Sequence, residues 1–100
     1  MAHEAGAVPV LDIGGDVGAL VVYLARTPPG GELEGCPAGQ PDRRFHTGVH
    51  ARPVGPGGAL VPVAVFPSLA EGTYDLLGEG GGATARVEVA GATVTSLDLR

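Results

Sequence analysis

Glycine or proline interrupts nearly every eleven-residue window of this chain, and that spacing constrains the fold before any other feature is weighed. A helix shows itself through periodicity sustained over about eleven residues, and Gly and Pro cost a helix interior roughly 1 and 3 kcal/mol relative to Ala. With 18 Gly and 9 Pro in 100 residues, no segment meets that condition. The chain is still 44% hydrophobic, so enough Val, Leu and Ala remain between the interruptions to offset the entropy of ordering. The glycines and prolines therefore punctuate short apolar strands.

Strands are expected at 8–13 (VPVLDI), 19–24 (ALVVYL), 31–36 (GELEGC), 43–53, 59–66 (ALVPVAVF), 72–77 (GTYDLL), 84–90 (TARVEVA) and 92–99. Between them stand PPG, CPAGQPD, PVGPGG, PSLAE, GEGGG and the single Gly91, residues that reverse a chain. Short strands at this spacing predict an all-β domain, an antiparallel β-sandwich of seven or eight strands. Residues 1–7 are expected to be a flexible leader and 8–100 a single domain, since this length suffices for one core.

Alternation supports the strands. Ala85, Val87 and Val89 fall on one face of 84–90 and Arg86 and Glu88 on the other, so one face is core and the other wet. Residues 19–24 are apolar on both faces apart from the Tyr23 hydroxyl, which predicts a central or doubly covered strand. Pro62 has no donor for a ladder, which predicts that 59–66 runs along an edge or carries a bulge there.

Composition removes several function classes. Six Arg, no Lys and eleven acidic residues give a formal charge of -5, a surface that repels phosphate backbones, so no nucleic-acid partner is expected. Cys36 is the only cysteine, which excludes an internal disulfide and a four-cysteine zinc site. No apolar run approaches the ~18 residues of a membrane span, and MAHEAGAVPV lacks the basic start and apolar stretch of a secretory signal. A cytoplasmic setting without a membrane span is expected.

Residues 59–99 carry a pattern, ALVPVAVFPSLAEGTYDLLG followed by a loop and ARVEVAGATVTSLDL. It resembles the closing half of prealbumin-like modules of the carboxypeptidase-regulatory and Cna-B type. Those run strand, F-x-x-L-x-x-G-x-Y, strand, then two final strands, here with Phe66, Leu69, Gly72 and Tyr74. The resemblance implies a prealbumin-like, Ig-like sandwich in which Phe66 and Leu69 plug the base, Gly72 permits the turn and Tyr74 points its ring inward. The chain is also similar to short proteins of high-GC bacteria, some associated with a phospholipase label that no residue here supports. Two departures narrow the implied function. Without Lys there is no intramolecular isopeptide crosslink of the Cna-B kind, and the ending SLDLR lacks the Tyr-Arg-Gly-Ser type tetrapeptide of the transthyretin-related hydroxyisourate hydrolases.

The candidate site is FHTGVHAR, residues 45–52. His46 and His50 have the spacing of a helical zinc pair, yet Gly48, Thr47 and Val49 disfavour a helix. On a strand, Arg44, His46, Gly48, His50 and Arg52 share one face and Phe45, Thr47, Val49 and Ala51 the core face. The two histidines are then ~13 Å apart and cannot share one zinc, whose ligands lie within about 2.1 Å of it. No metal or other cofactor is expected. A hairpin centred near Gly39 sets Glu34 opposite Arg44 and Glu32 opposite His46 as cross-strand pairs. His50 and Arg52 are then left unpaired to contact an anionic partner.

The remaining motifs read as structure. GGDVG (14–18) precedes a strand, whereas a phosphate cradle needs a helix N-terminus, so it predicts a turn or bulge. Asp12 and Asp16 beside it lack the rest of a calcium donor set. Ser68 and Ser96 sit in no nucleophile elbow, and Cys36, in the CPAGQPD connection, has no basic partner nearby in sequence. With no Trp and two Tyr, a carbohydrate-stacking platform is not expected. The expected function is a non-catalytic interaction or accessory module, meeting a protein partner or a second copy through a sheet edge or the face of Arg44, His46, His50 and Arg52. The alternative is a small hydrolase of anionic esters, with His46 or His50 as general base and Arg52 as anion clamp. A concave pocket in which a second polar group converges on a histidine separates the two.

Overall fold

The computed structural model describes residues 11–100. Seven strands fill most of that span: β1 (Val17–Leu24), β2 (Glu32–Pro37), β3 (Phe45–Val54), β4 (Ala59–Ala70), β5 (Gly72–Leu77), β6 (Ala83–Val89) and β7 (Val94–Leu99). Single 3-10 turns lie at Pro29–Gly31, Pro41–Arg43 and Glu79–Gly81. No described residue is in an α-helix. The all-β class and the seven strands follow the sequence expectation. The expected strand at 8–13 does not: residues 8–10 and the leader 1–7 lie outside the described residues, and 11–13 are not strand.

The order is β6-β5-β2-β3-β4-β1-β7. The expected antiparallel sandwich needs correcting, because β7 runs parallel to β1 and the strands form one mixed sheet rolled into a barrel-like shape. One strand makes the roll. Phe45–Gly48 of β3 pair with β2, whereas Val49–Val54 pair with β4. The ladder changes partner at Gly48, where a missing Cβ eases the bend. Thr47 offsets the parting there: its hydroxyl donates to the Val65 carbonyl at 2.8 Å, one residue past the last β3 and β4 pair, Val49 with Ala64. On the far side β6 and β7 come alongside each other with no ladder between them.

Pro62 is not on an edge strand, since β4 lies between β3 and β1. Its tolerance has a local cause. The β1 ladder ends at Tyr23 and Val63, so Pro62 faces a partner on one side only, Ala51 of β3. The bulge in β4 falls further on, where Pro67 and Ser68 together oppose Ala19.

The core collects Leu20, Val22 and Leu24 of β1, Ala64 and Phe66 of β4, Tyr74 and Leu76 of β5, and Val87 and Val89 of β6, with Leu33 and Val49. At one pole Phe45 stands edge-on to both Phe66 and Tyr74, with centroids 5.4 and 5.7 Å away. Tyr74 enters β5 with its ring buried and its hydroxyl donating to the Ala70 carbonyl. That ties the strand start to the turn before it, in which Gly72 holds φ 152°. The GGDVG segment is a turn closed by reciprocal backbone bonds of 2.9 Å between Gly14 and Val17, with Gly15 at φ 57°. It abuts the turn joining β6 to β7. A Cβ on Gly18 would sit 2.2 Å from the Ala90 carbonyl, and one on Gly91 2.2 Å from that of Gly15.

Candidate functional site

The other pole is open. There β1 and β7 end, β2 and β6 begin, and a cleft of about 530 Å³ separates the loop after β1 from the turn between β5 and β6. Its floor is leucine: Leu24, Leu33 and Leu77 are buried and Leu99 is half-buried. Strand alternation puts them there, because Glu32 and Glu34 on either side of Leu33 point outward. The rim is charged, with Arg26, Glu32, Glu34, Arg44 and Glu79.

The candidate residues, Arg44 just before β3 and His46, His50 and Arg52 on it, divide between this cleft and the open sheet. Arg44 lines the cleft; its Nε donates to the Pro41 carbonyl at 2.9 Å and Nη1 to Glu34 Oε1 at 3.3 Å. The guanidinium lies over Gly81, where a Cβ would sit 3.6 Å from Nη2. His46 borders the cleft through Glu32, Nε2 to Oε2 3.5 Å, and both side chains are more than half exposed. The expected charge pairs thus form, but the register is shifted by two: Glu34 opposes His46 and Glu32 opposes Gly48, so each pair reaches diagonally. The turn at Pro41–Arg43 keeps Arg44 out of the strand and moves the hairpin centre accordingly.

His50 and Arg52 belong elsewhere. They pair with Val63 and Val61 beyond the point where β3 changes sheet, and neither lines the cleft. His50 is exposed and its ring folds back over Gly48, where a Cβ would meet Nε2 at 3.1 Å. Arg52 is half-buried and takes part in an interaction of its own, which corrects the expectation that it is unpaired. Ala51, assigned to the core face, is exposed, because the β3 and β4 hairpin extends past the opposite strands and leaves Leu60 69% accessible at its tip. The four candidate residues therefore do not form one site. Among the described residues no three His, Cys, Asp or Glu side chains gather as a metal set.

The most buried charge of the described chain escaped the sequence reading. Asp75 on β5 directly opposes Arg86 on β6 and Cys36 on β2. Its carboxylate accepts from Arg86 Nε at 2.7 Å and Nη2 at 3.2 Å, and from the Gly39 backbone N–H at 3.0 Å. The Arg86 hydrogen bonds, then that from Gly39, hold the Asp75 pKa below its ordinary value, against the desolvation that raises it. Counting outward from the Gly-rich turn at 78–82 sets Asp75 opposite Ala85, and only the register shift between Leu76 and Leu77, which no local pattern announces, brings Arg86 opposite it. The pair ties the loop after β2 to the sheet and takes no part in the cleft. Cys36 lies in β2, not in the connection, and its thiol is buried. Ser68 sits in the β4 bulge and Ser96 faces outward on β7. A shallower hollow between Glu71 and Glu88 holds no histidine either.

At the outer end of β7, Asp98 binds Arg100 through both oxygens at 2.9 and 2.8 Å, and Arg100 lies 5.4 Å from the Tyr23 ring centroid. The side-chain bonds from Arg100, and then its backbone N–H, lower the Asp98 pKa to about 2. No helix among the described residues is long and apolar enough to cross a membrane. Comparison with protein-family models, curated proteins and solved structures returns no match for this chain.

Proposed function

We propose that this chain is a non-catalytic interaction module of the prealbumin-like class. The observation that carries the reading is the placement of the histidines: neither His46 nor His50 lines the cleft, and the group that pairs with His46 among the described residues, Glu32, is itself exposed. A general base needs a substrate held against it and a second group to orient it. What the chain offers instead are the β6 and β7 edges, which no ladder joins, and the cleft at their far ends, whose walls include Thr84 and Leu99. Such edges are recognition surfaces for extended segments. The prealbumin-like assignment is supported by the order strand, Phe66 and Leu69, Gly72 and Tyr74, strand, then β6 and β7. The single, buried, unpaired Cys36 suits a reducing compartment such as the cytoplasm.

The test compares the two classes directly. The purified chain and its His46→Ala and His50→Ala variants are offered a panel of p-nitrophenyl carboxylic and phosphoric esters. The module reading expects the buffer rate in every case. Turnover that disappears in either variant would establish the hydrolase reading in its place.

A further inference from the structure

The cleft carries an inference that rests on the module reading and gives it a site and a partner chemistry. We propose that it binds an extended basic segment of a partner protein, seating a leucine-like side chain on its leucine floor between lysines or arginines held by Glu32 and Glu79.

The floor sets the first half of this chemistry. Leu24 and Leu99 come from one side of the barrel and Leu33 and Leu77 from the other, and they meet where the two edge strands stand unjoined. A cleft of about 530 Å³ falls within the range of clefts that enclose a ligand, and an apolar floor with a few placed charges is their usual make-up.

The rim sets the second half. It holds three carboxylates against two guanidiniums. Arg44 is already committed to Glu34 and to the Pro41 carbonyl, so that pair offers a ligand no net charge. Glu32 is met only by an imidazole at 3.5 Å, which carries charge only when protonated. Glu79, in the Gly-rich turn on the opposite wall, makes no ion pair with a described residue. Against these two carboxylates stands Arg26 alone, and the chain as a whole bears -5. The potential favours a cationic partner and repels an acidic one, fatty carboxylates included.

The test titrates the full ¹⁵N-labelled chain with acetyl-Lys-Leu-Lys-Leu-Lys-amide and follows backbone amide shifts. Saturable shifts are expected at Leu33, Leu77 and Glu79, weakening at higher salt. Glu79→Gln and Glu32→Gln should each weaken binding at least threefold, and Leu99→Ser, at a half-buried position and with its fold checked by the dispersion of the amide spectrum, at least fivefold. Equal binding of the peptide with Ser for Leu would reduce the effect to charge alone, and equal binding of the peptide with Glu for Lys would remove the charge argument; either overturns the proposal, as does an absence of saturation. Shifts confined to the β6 or β7 edge and indifferent to the three variants would sink the cleft while leaving the module reading intact. Histidine-dependent ester turnover would sink the module reading, and the titration would still decide the cleft.

Discussion

The two poles of this barrel contrast: one is closed by packing and the other is open. At the pole of Phe45, Phe66 and Tyr74, aromatic rings meet edge to face and backbones approach so closely that Gly18 and Gly91 have no room for a Cβ. At the other pole Gly80 and Gly82 have nothing within 4 Å of a Cβ position, and Leu60 is 69% exposed. At the closed pole Gly18 and Gly91 permit backbone contact, whereas at the open pole the one tight glycine, Gly78, meets a side-chain methyl of Thr84 at 2.6 Å and Gly80 and Gly82 stand in open space. Stability should then concentrate at the closed pole and tolerance to change at the open one, where the cleft lies.

The largest expected effect tests the closed pole. Phe66 is 3% exposed and packs edge-on against Phe45, so Phe66→Ala should leave a cavity and cost ~3–5 kcal/mol in urea unfolding, a large share of what holds a domain of this size. A denaturation midpoint that barely moves would mean that the aromatic pole does not anchor the barrel.

The next effect compares glycine with glycine. Gly91→Ala forces a Cβ to within 2.2 Å of the Gly15 carbonyl and 2.8 Å of the Asp16 Cα, and these are backbone atoms that cannot swing away. Overpacking of this kind should cost ~1–3 kcal/mol or more. Gly82→Ala at the open pole meets no atom and keeps φ -81°, which Ala adopts freely, so it should be neutral or stabilising by up to ~1 kcal/mol. Paired melts of the two variants decide this, and equal losses would erase the distinction between the poles.

The same contrast explains what the sequence made legible. Phe66, Leu69, Gly72 and Tyr74 lie within nine residues, so the closed pole shows as a local motif. The alternation of Ala85, Val87 and Val89 likewise fixes an inward face without long-range information. The cleft draws on five separated stretches, from Leu24 to Leu99, and no local pattern reports that they converge. Strand direction was hidden for the same reason. Four residues between β6 and β7 suggest a hairpin, but Ala92 at φ 58° and Gly91 against Gly15 turn the chain across to β1 instead. The register of β2 on β3 slipped by two because the 3-10 turn at Pro41–Arg43 was not foreseen.

Acid should reveal a smaller difference between two ion pairs. Both Asp75 and Asp98 have folded pKa values below the ordinary carboxylate value, and that of Asp98 is about 2. Each therefore contributes stability that is complete above the unfolded value of ~3.9 and is lost as pH falls through its folded value. The melting temperature should fall between pH 4 and pH 2. Asp75→Asn should lower it already at pH 7, because Gly39 and Arg86 lose a charged acceptor. Asp98→Asn, at an exposed and solvent-screened pair, should lower it only slightly at pH 7 and flatten the acid slope by the same small amount. An unchanged acid slope in Asp98→Asn would show that its bond to Arg100 contributes nothing in solution.

The smallest expected effect is none at all, and it concerns β3, the strand that runs from the closed pole to the open one. His46 and His50 lie four residues apart on it, ~13 Å of extended chain, and among the described residues neither belongs to a group of three His, Cys, Asp or Glu side chains that could hold a zinc ion. Micromolar zinc should neither bind with one-site stoichiometry nor move the melt, whereas a ligand bound to the folded state at a hundredfold over its Kd would add ~2.7 kcal/mol, a shift easily seen. His46→Ala and His50→Ala serve as controls. Stabilisation of the wild type at low protein concentration, abolished by either substitution, would mean that β3 does not run extended between the poles as described. Stabilisation that grows with protein concentration carries another meaning, because two chains could each supply one exposed histidine to a shared ion, and the distance within one strand places no limit on that.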